Sequence, residues 1–191
     1  MLARAAFAET QPSLDAAALV FVDEAGVNRA MTRRFARAKR GTRAVGYAPA
    51  GHGKNTTMIG AMSGQGMVAL HKIVGGGTTN EAFAAFVQDV LVPVLRPGQT
   101  VVLDNLWAHK QACVRTAIEA VGCWVLHVPS YSPQYNAIEK AWSKMKAHLR
   151  RVAARTQEAL ELAIDEAAAR VTQADAQAWI RGAGYTLQLT G

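Results

Sequence analysis

The sequence has few cysteines and no long uncharged hydrophobic run. Cys113 and Cys123 are the only cysteines among 191 residues, and two thiols without dense spacing are more often small buried hydrophobes than a disulfide in an intracellular chain. A zinc site that used both with His127 would lack a fourth ligand. No apolar stretch approaches the roughly 20 residues needed to cross a bilayer, because acidic residues such as Asp23 interrupt the longest runs. We therefore expect a soluble protein without membrane contact.

Charged residues are also scarce. Only 18% of the residues are charged while 50% are hydrophobic, which excludes a disordered chain and predicts a packed core. The length suits a single domain. Residues 1–11 carry one arginine and little apolar length, which is a poor match to a secretory signal, so the expected location is the cytoplasm.

The net charge of +7 is concentrated in two basic clusters. The first lies between residues 29 and 43 and contains no acidic residue, and the second follows Glu139 along one predicted helix. Such clusters usually contact a polyanion, because each lysine or arginine that neutralises a phosphate releases a condensed counterion. A solvated surface is the alternative, but two clusters flanking candidate metal ligands favour nucleic acid. The predicted DNA-contacting residues are Arg29, Arg33, Arg34, Arg37, Lys39, Arg40, Arg43, Lys54, His109, Lys110, Lys140, Lys144 and Lys146.

Three acidic residues fall where a strand is predicted to stop or a helix to begin. Asp23 ends the apolar run 19–22, Asp104 ends the run 101–103, and 34 residues separate Asp104 from Glu139. An open α/β sheet presents side chains to ligands at such places. Three carboxylates from separate elements would hold two Mg²⁺ or Mn²⁺ ions and leave coordination positions for phosphate oxygens and water. This combination suits phosphodiester cleavage.

Each acid also has a purely structural interpretation. Asp23 could be a polar strand terminus, Asp104 could belong to an Asx turn, and Glu139 could be the capping-box partner of an Asn136 helix cap. A cap does not exclude metal binding, because the helix dipole favours an ionised carboxylate in the first turn. We favour Asp23 over Glu24, since neighbouring residues of a strand point to opposite faces.

The hydrophobic pattern predicts alternating strands and helices. Strands are predicted at about 17–23, 56–62, 67–74, 99–104 and 123–128, and helices at about 78–95, 109–121, 136–152, 156–171 and 174–181. Gly64 and Gly66 favour a tight antiparallel hairpin, and the later strand-helix-strand unit favours a parallel pair. Trp124 and Trp142 fall on apolar faces and are assigned structural roles. The order resembles that of a ribonuclease H-like domain, an α/β fold with a mixed five-stranded sheet and helices on both faces.

Several motifs occur together in a fixed order. They are Phe21–Glu24, Leu103–Asn105 followed by His109 and Lys110, and Ser132–Glu139, with the interval of 34 residues between the second and third acids. In motif order and spacing, the sequence resembles the catalytic domain of DDE transposases of the Tc/mariner superfamily. Its bacterial insertion-sequence branch is the nearest match.

The resemblance implies a specific chemistry. Asp23, Asp104 and Glu139 would bind two Mg²⁺ or Mn²⁺ ions, hydrolyse DNA at transposon ends and join the freed 3′-hydroxyl to target DNA. It further implies a homodimer that works on the nucleoid in a bacterial cytoplasm. The expected organisation is an N-terminal extension over 1–16, a ribonuclease H-like core over 17–155, and a C-terminal helical extension of the same domain over 156–191.

The sequence departs from the family pattern in two places. Ala137 stands where the family often has proline, and only about sixteen residues precede the first predicted strand, where a helix-turn-helix region would stand. We therefore expect sequence-specific recognition to be missing or to come from a separately encoded helix-turn-helix partner. The chain would then be a second reading frame, a truncated copy or a catalytic fragment. A nuclease without strand transfer and a non-catalytic DNA-binding remnant are the alternatives.

Overall fold

The computed structural model describes residues 2–104 and 111–186, and this part contains five strands and six α-helices. The strands are β1 (Leu19–Val27), β2 (Thr56–Ser63), β3 (Gly66–Val74), β4 (Thr100–Leu103) and β5 (Trp124–His127). The helices are α1 (Leu2–Thr10), α2 (Asn80–Phe86), α3 (Ala112–Ala120), α4 (Ile138–Val152), α5 (Gln157–Ala169) and α6 (Gln173–Gly182). In these ranges no helix is long and apolar enough to span a membrane.

The strands form one mixed sheet in the order β3-β2-β1-β4-β5. β2 pairs antiparallel with both β1 and β3, while β4 pairs parallel with both β1 and β5. The predicted hairpin joins β2 to β3, and Gly66 at its end has a φ of +115°, a backbone conformation that favours glycine. The predicted mixed five-stranded sheet and its hairpin are confirmed.

Helices cover both faces of this sheet, as predicted. Helices α1, α4, α5 and α6 contribute to the core on one face of the sheet, and helices α2 and α3 contribute to the core on the other. The alternation along β1 explains how one strand supplies both cores: Leu19 and Phe21 belong to the first, and Val20 and Val22 to the second. By the same alternation Asp23 lies on the α4 side of the sheet.

β1 is longer than predicted, because two different neighbours support different parts of it. The prediction ended the strand at Asp23, whereas pairing with β2 continues to Val27. The parallel pairing with β4 stops earlier, at Phe21 and Val102. Asp23 therefore lies inside β1, at a point where the pairing on one side has already ended.

The predicted helix over 78–95 consists of three consecutive segments. α2 begins after Thr79, whose hydroxyl accepts a hydrogen bond from the backbone N–H of Ala82 and so caps the helix. A π-helical turn, Val87–Leu91, and a 3₁₀ turn, Val92–Val94, follow. A change of winding shifts which residues face the sheet, and Val94, near the end of the predicted helix, is 44% exposed.

Two predictions of burial are wrong. Trp124 is 60% exposed because it is the first residue of β5, an edge strand with a neighbour on one side only. Cys113 is exposed on α3, while Cys123 is buried as predicted, and both are free thiols.

Candidate active site

The parallel register of β1 and β4 brings two of the predicted acids side by side. Phe21 pairs with Val102, so the same register continued by two residues puts Asp23 level with Asp104. Neighbouring strands lie about 4.8 Å apart, and residues at the same level project toward the same face. The ring Nδ1 of His127 lies 3.1 Å from the backbone oxygen of Asp104 and helps to fix the chain where β4 ends.

Glu139 reaches the same place from the first turn of α4. A cavity of 310 Å³ is lined by Asp23, Asp104 and Glu139, and its remaining wall consists of residues 128–133 and Asn136. Asp23 is buried, Asp104 is half-buried and Glu139 is exposed. Three acids that are distant in the sequence therefore share one cavity that is open to solvent.

Asn136 does not cap α4, so the alternative interpretation of Glu139 as its capping-box partner does not apply. Ala137 occupies the N-cap position, and no side chain caps this helix. A 3₁₀ turn over Pro133–Tyr135 precedes the helix, and Asn136 ends that turn instead. Its side chain is 5% exposed, and its Oδ1 accepts no hydrogen bond from the described part of the chain. A buried oxygen without a donor in the cavity wall is available to water or to a cation.

The buried partner of Asp23 was missed from the sequence. The indole Nε1 of Trp142 donates a hydrogen bond of 3.1 Å to Oδ2 of Asp23, and Trp142 is only 2% exposed. The pattern correctly predicted that Trp142 faces inward. Trp142 follows Glu139 by three residues, so the two side chains lie on neighbouring parts of the helix surface. This spacing could have indicated that Trp142 lies close to the acids.

Gly60 provides the space that this tryptophan occupies. It lies directly opposite Asp23 in the register of β1 and β2, so a side chain at position 60 would project on the same face as Asp23. A Cβ at Gly60 would lie 2.6 Å from Cη2 of Trp142. The missing side chain therefore allows the indole to reach the carboxylate.

Burial raises the pKa of Asp23 to about 7. The backbone N–H of Glu24 and the indole of Trp142 lower this pKa, and the negative charges of Glu139 and Asp104 raise it. A cation among the three carboxylates would offset both the burial and the mutual repulsion. Within the described ranges no three His, Cys, Asp or Glu side chains form a ready metal-binding group. The three acids thus line one cavity without converging on one point.

Two of the predicted DNA-contacting residues make contacts inside the protein. The ammonium of Lys144 forms an ion pair with Asp175 of α6. The guanidinium of half-buried Arg29 lies against Gly53, where a Cβ would overlap it. Their contacts within the fold compete with any contact to a nucleic acid.

The other predicted DNA-contacting residues have different surroundings. Lys146 and Arg34 line one open cavity on the α4 side of the sheet. His109 and Lys110 lie outside the described residues. The remaining ones are exposed: Arg33, Arg37, Lys39, Arg40, Arg43, Lys54 and Lys140.

The domain is an α/β domain of the ribonuclease H-like fold, because its mixed sheet has this strand order and helices on both faces. The three acids lie on β1, after β4 and at the start of α4. The chain belongs to the DDE superfamily endonuclease family, because residues 18–161, more than half of its length, match that family. The predicted family is confirmed. A comparison with curated protein sequences gives no match.

Solved structures of Mos1 transposase are similar to this chain in fold. The Mos1 strand transfer complex gives a TM-score of 0.75 at 21% identity, covering 95% of this chain and 57% of that chain. A mariner Mos1 paired-end complex with Mg gives 0.72 at 20% identity, covering 94% and 57%. The catalytic domain of Mos1 mariner transposase gives 0.61 at 16% identity, covering 94% and 81%. The chain therefore spans just over half the length of the Mos1 chains in the two complexes.

Proposed function

We propose that this chain is the catalytic domain of a transposase that cleaves DNA at transposon ends and joins the freed 3′-hydroxyl to target DNA. The observation that supports this function most directly is the cavity shared by Asp23, Asp104 and Glu139 in a member of the DDE endonuclease family. Relatives with the same fold include a Mos1 strand transfer complex and a Mos1 paired-end complex with a transposon end.

The cavity has the donor atoms that hard divalent cations prefer. Asp23, Asp104 and Glu139 supply carboxylate oxygens, and the side-chain oxygen of Asn136 lacks a donor from the described residues. The three acids hold two Mg²⁺ or Mn²⁺ ions, in keeping with Mos1 structures that were solved with Mg and with Mn. When bound, such ions activate an attacking water or hydroxyl and stabilise the leaving oxygen.

The three acids contribute in different ways. The buried indole holds Asp23 in one orientation. Asp104 lies where β4 ends, and His127 holds its backbone. Glu139 is exposed, so its side chain can change rotamer and approach the other two acids when a cation enters.

Double-stranded DNA is the substrate in this proposal. The exposed basic residues contact its phosphates without choosing a sequence, so binding weakens as the salt concentration rises. By family resemblance, the protein acts as a homodimer on the bacterial nucleoid, with a helix-turn-helix partner that recognises the transposon ends.

Nicking of supercoiled plasmid tests the proposed chemistry. With Mn²⁺ or Mg²⁺ the purified chain should nick the plasmid, and Asp104→Asn, prepared identically, should not. Glu24→Gln is the matched control, because Glu24 is next to Asp23 but does not line the cavity, and this variant should retain nicking. Equal nicking by wild type and Asp104→Asn, or none by either, contradicts the proposal.

A second assay separates a transposase from a nuclease of the same fold. A labelled duplex with a free 3′-hydroxyl is incubated with plasmid, metal and protein, and joined products are measured. Joined products that are lost in Asp104→Asn support strand transfer. Nicking without joined products would assign the chain to hydrolysis alone.

A further inference from the structure

The basic residues of α4 lie on two different sides of this helix. Lys144 pairs with Asp175, and His148 lies 3.4 Å from a carboxylate of α5, so these two side chains face the neighbouring helices. Lys146 and Arg150 instead line an open cavity of about 450 Å³. The second basic cluster of the sequence is thus divided between internal ion pairs and an open surface.

Cationic side chains from two separate parts of the chain line the open cavity. Lys146 and Arg150 come from α4, and Arg34 and His52 come from the connection 28–55 between β1 and β2. No acidic residue of the described part lines this cavity. Three permanent positive charges and an imidazole without a neighbouring carboxylate in the wall favour an anion.

Contacts at the base of the connection 28–55 hold it beside α4. Arg155, just after α4, donates hydrogen bonds from Nη1 to the backbone oxygens of Arg29 at 2.7 Å and Met31 at 3.2 Å. At the two ends of the connection, the side-chain amide of Asn28 donates to Oδ1 of Asn55 at 3.1 Å. These bonds place the start of the connection beside α4 and tie it to the end of the connection, so the part of the cavity wall around Asn28 and Met31 is held against the fold.

Helix geometry gives the distance from the acids to this cavity. Lys146 and Arg150 follow Glu139 by seven and eleven residues, which at about 100° per residue returns both to the helix face of Glu139. At a rise of 1.5 Å per residue they lie about 10 and 16 Å along α4. Gly26, which also lines the cavity, lies three residues and about 10 Å beyond Asp23 on β1. One strand of DNA rises about 3.4 Å per nucleotide, so these distances correspond to about three to five nucleotides.

We propose that the cavity formed by Arg34, His52, Lys146 and Arg150 binds a backbone phosphate of DNA about three to five nucleotides from the phosphate that is cleaved. This assignment rests on the proposed function, because the distance is counted from the acids. The guanidinium and ammonium groups donate charge-assisted hydrogen bonds to the phosphate oxygens. A phosphate held there sets the path of the strand toward Asp23 and Glu139 without reading any base.

The salt dependence of DNA binding tests the cavity independently of catalysis. The cavity variant is Lys146→Gln/Arg150→Gln, and the control is Arg170→Gln/Arg181→Gln, which removes two exposed charges, one just after α5 and one in α6. Binding of a short duplex is measured at several salt concentrations. Each lost phosphate contact reduces the magnitude of the slope of log K against log salt by about 0.9, so the cavity variant, which loses one phosphate contact, should lose about 0.9 and the control almost none. Equal slopes for the two variants overturn the assignment.

Duplexes that carry a neutral phosphate analogue test the distance between the cavity and the cleaved phosphate. The preferred plasmid nick is first mapped with wild-type protein, and duplexes containing that site carry one methylphosphonate at successive positions. Binding is measured with Asp104→Asn protein, with and without the cavity substitutions. A methylphosphonate about three to five nucleotides from the nick should weaken binding only where Lys146 and Arg150 are intact. Interference elsewhere, or interference that persists in the cavity variant, refutes the assignment while metal-dependent nicking stands. If wild type does not nick, the proposed function fails, and the salt slopes alone decide whether the cavity binds phosphate.

Discussion

The hydrogen bond from Trp142 to Asp23 provides a quantitative test of how the acidic cavity is built. Trp142→Phe keeps an aromatic ring in the core but removes the donor 3.1 Å from Oδ2 of Asp23. A hydrogen bond to a charged group contributes about 1.5–3 kcal/mol, which corresponds to roughly 10- to 100-fold in a binding constant. Loss of the indole donor also raises the pKa of Asp23 further. Both effects disfavour the ionised carboxylate, so the affinity for Mn²⁺ should fall about 10- to 100-fold.

Isothermal titration with Mn²⁺ measures this loss, and thermal unfolding without metal measures stability. Thr172→Ala is the control, because it removes the capping box of α6, costs about 1 kcal/mol of stability, and lies outside the wall of the acidic cavity. The control should unfold at a lower temperature and bind Mn²⁺ like wild type. If Trp142→Phe behaves in the same way as this control, the indole only fills the core, and the reasoning about Asp23 is refuted.

Three further substitutions test other parts of the site. Gly60→Ala puts a Cβ 2.6 Å from Trp142 and should lower both Mn²⁺ affinity and Tm, whereas Gly26→Ala, which meets nothing within 4 Å, should leave Mn²⁺ affinity unchanged. The pKa of Asp23 is raised from 3.8 to about 7, so the folded protein favours the protonated carboxyl group. The stability that this group contributes is fully present below pH 3.8 and is lost as the pH rises through 7. Asp23→Asn should therefore stabilise the metal-free protein by up to about 4 kcal/mol near pH 8 and by less near pH 5, and an equal effect on Tm at both pH values would contradict this cause. Ala137 has a φ of −61°, which matches proline, so Ala137→Pro should raise Tm by roughly 1 to 4 °C without abolishing nicking. A lower Tm would show that the proline ring does not fit at the start of α4.

Local pattern was sufficient to predict most of the fold. The inward face of α4, with Trp142 and Met145 buried, follows from apolar residues at helical spacing. The hairpin between β2 and β3 follows from Gly64 and Gly66 next to two apolar runs. The predicted end of β1 at Asp23 was wrong, because it concerns a place where several elements meet. The continuation of β1 to Val27 depends on pairing with β2, a segment about thirty residues away in the chain.

The family, the order of strands and helices and the three candidate acids could be predicted from the sequence alone, because motif spacing and hydrophobic periodicity are properties of the chain that need no contact information. Three relations could be seen only in the folded protein: Asp23 stands level with Asp104, Gly60 leaves space for Trp142, and Lys144 and Lys146 have different surroundings. These relations join residues that are far apart in the chain, through strand register, side-chain packing and ion pairing. They arise when the strands and helices pack together, so the spacing of residues along the sequence does not reveal them.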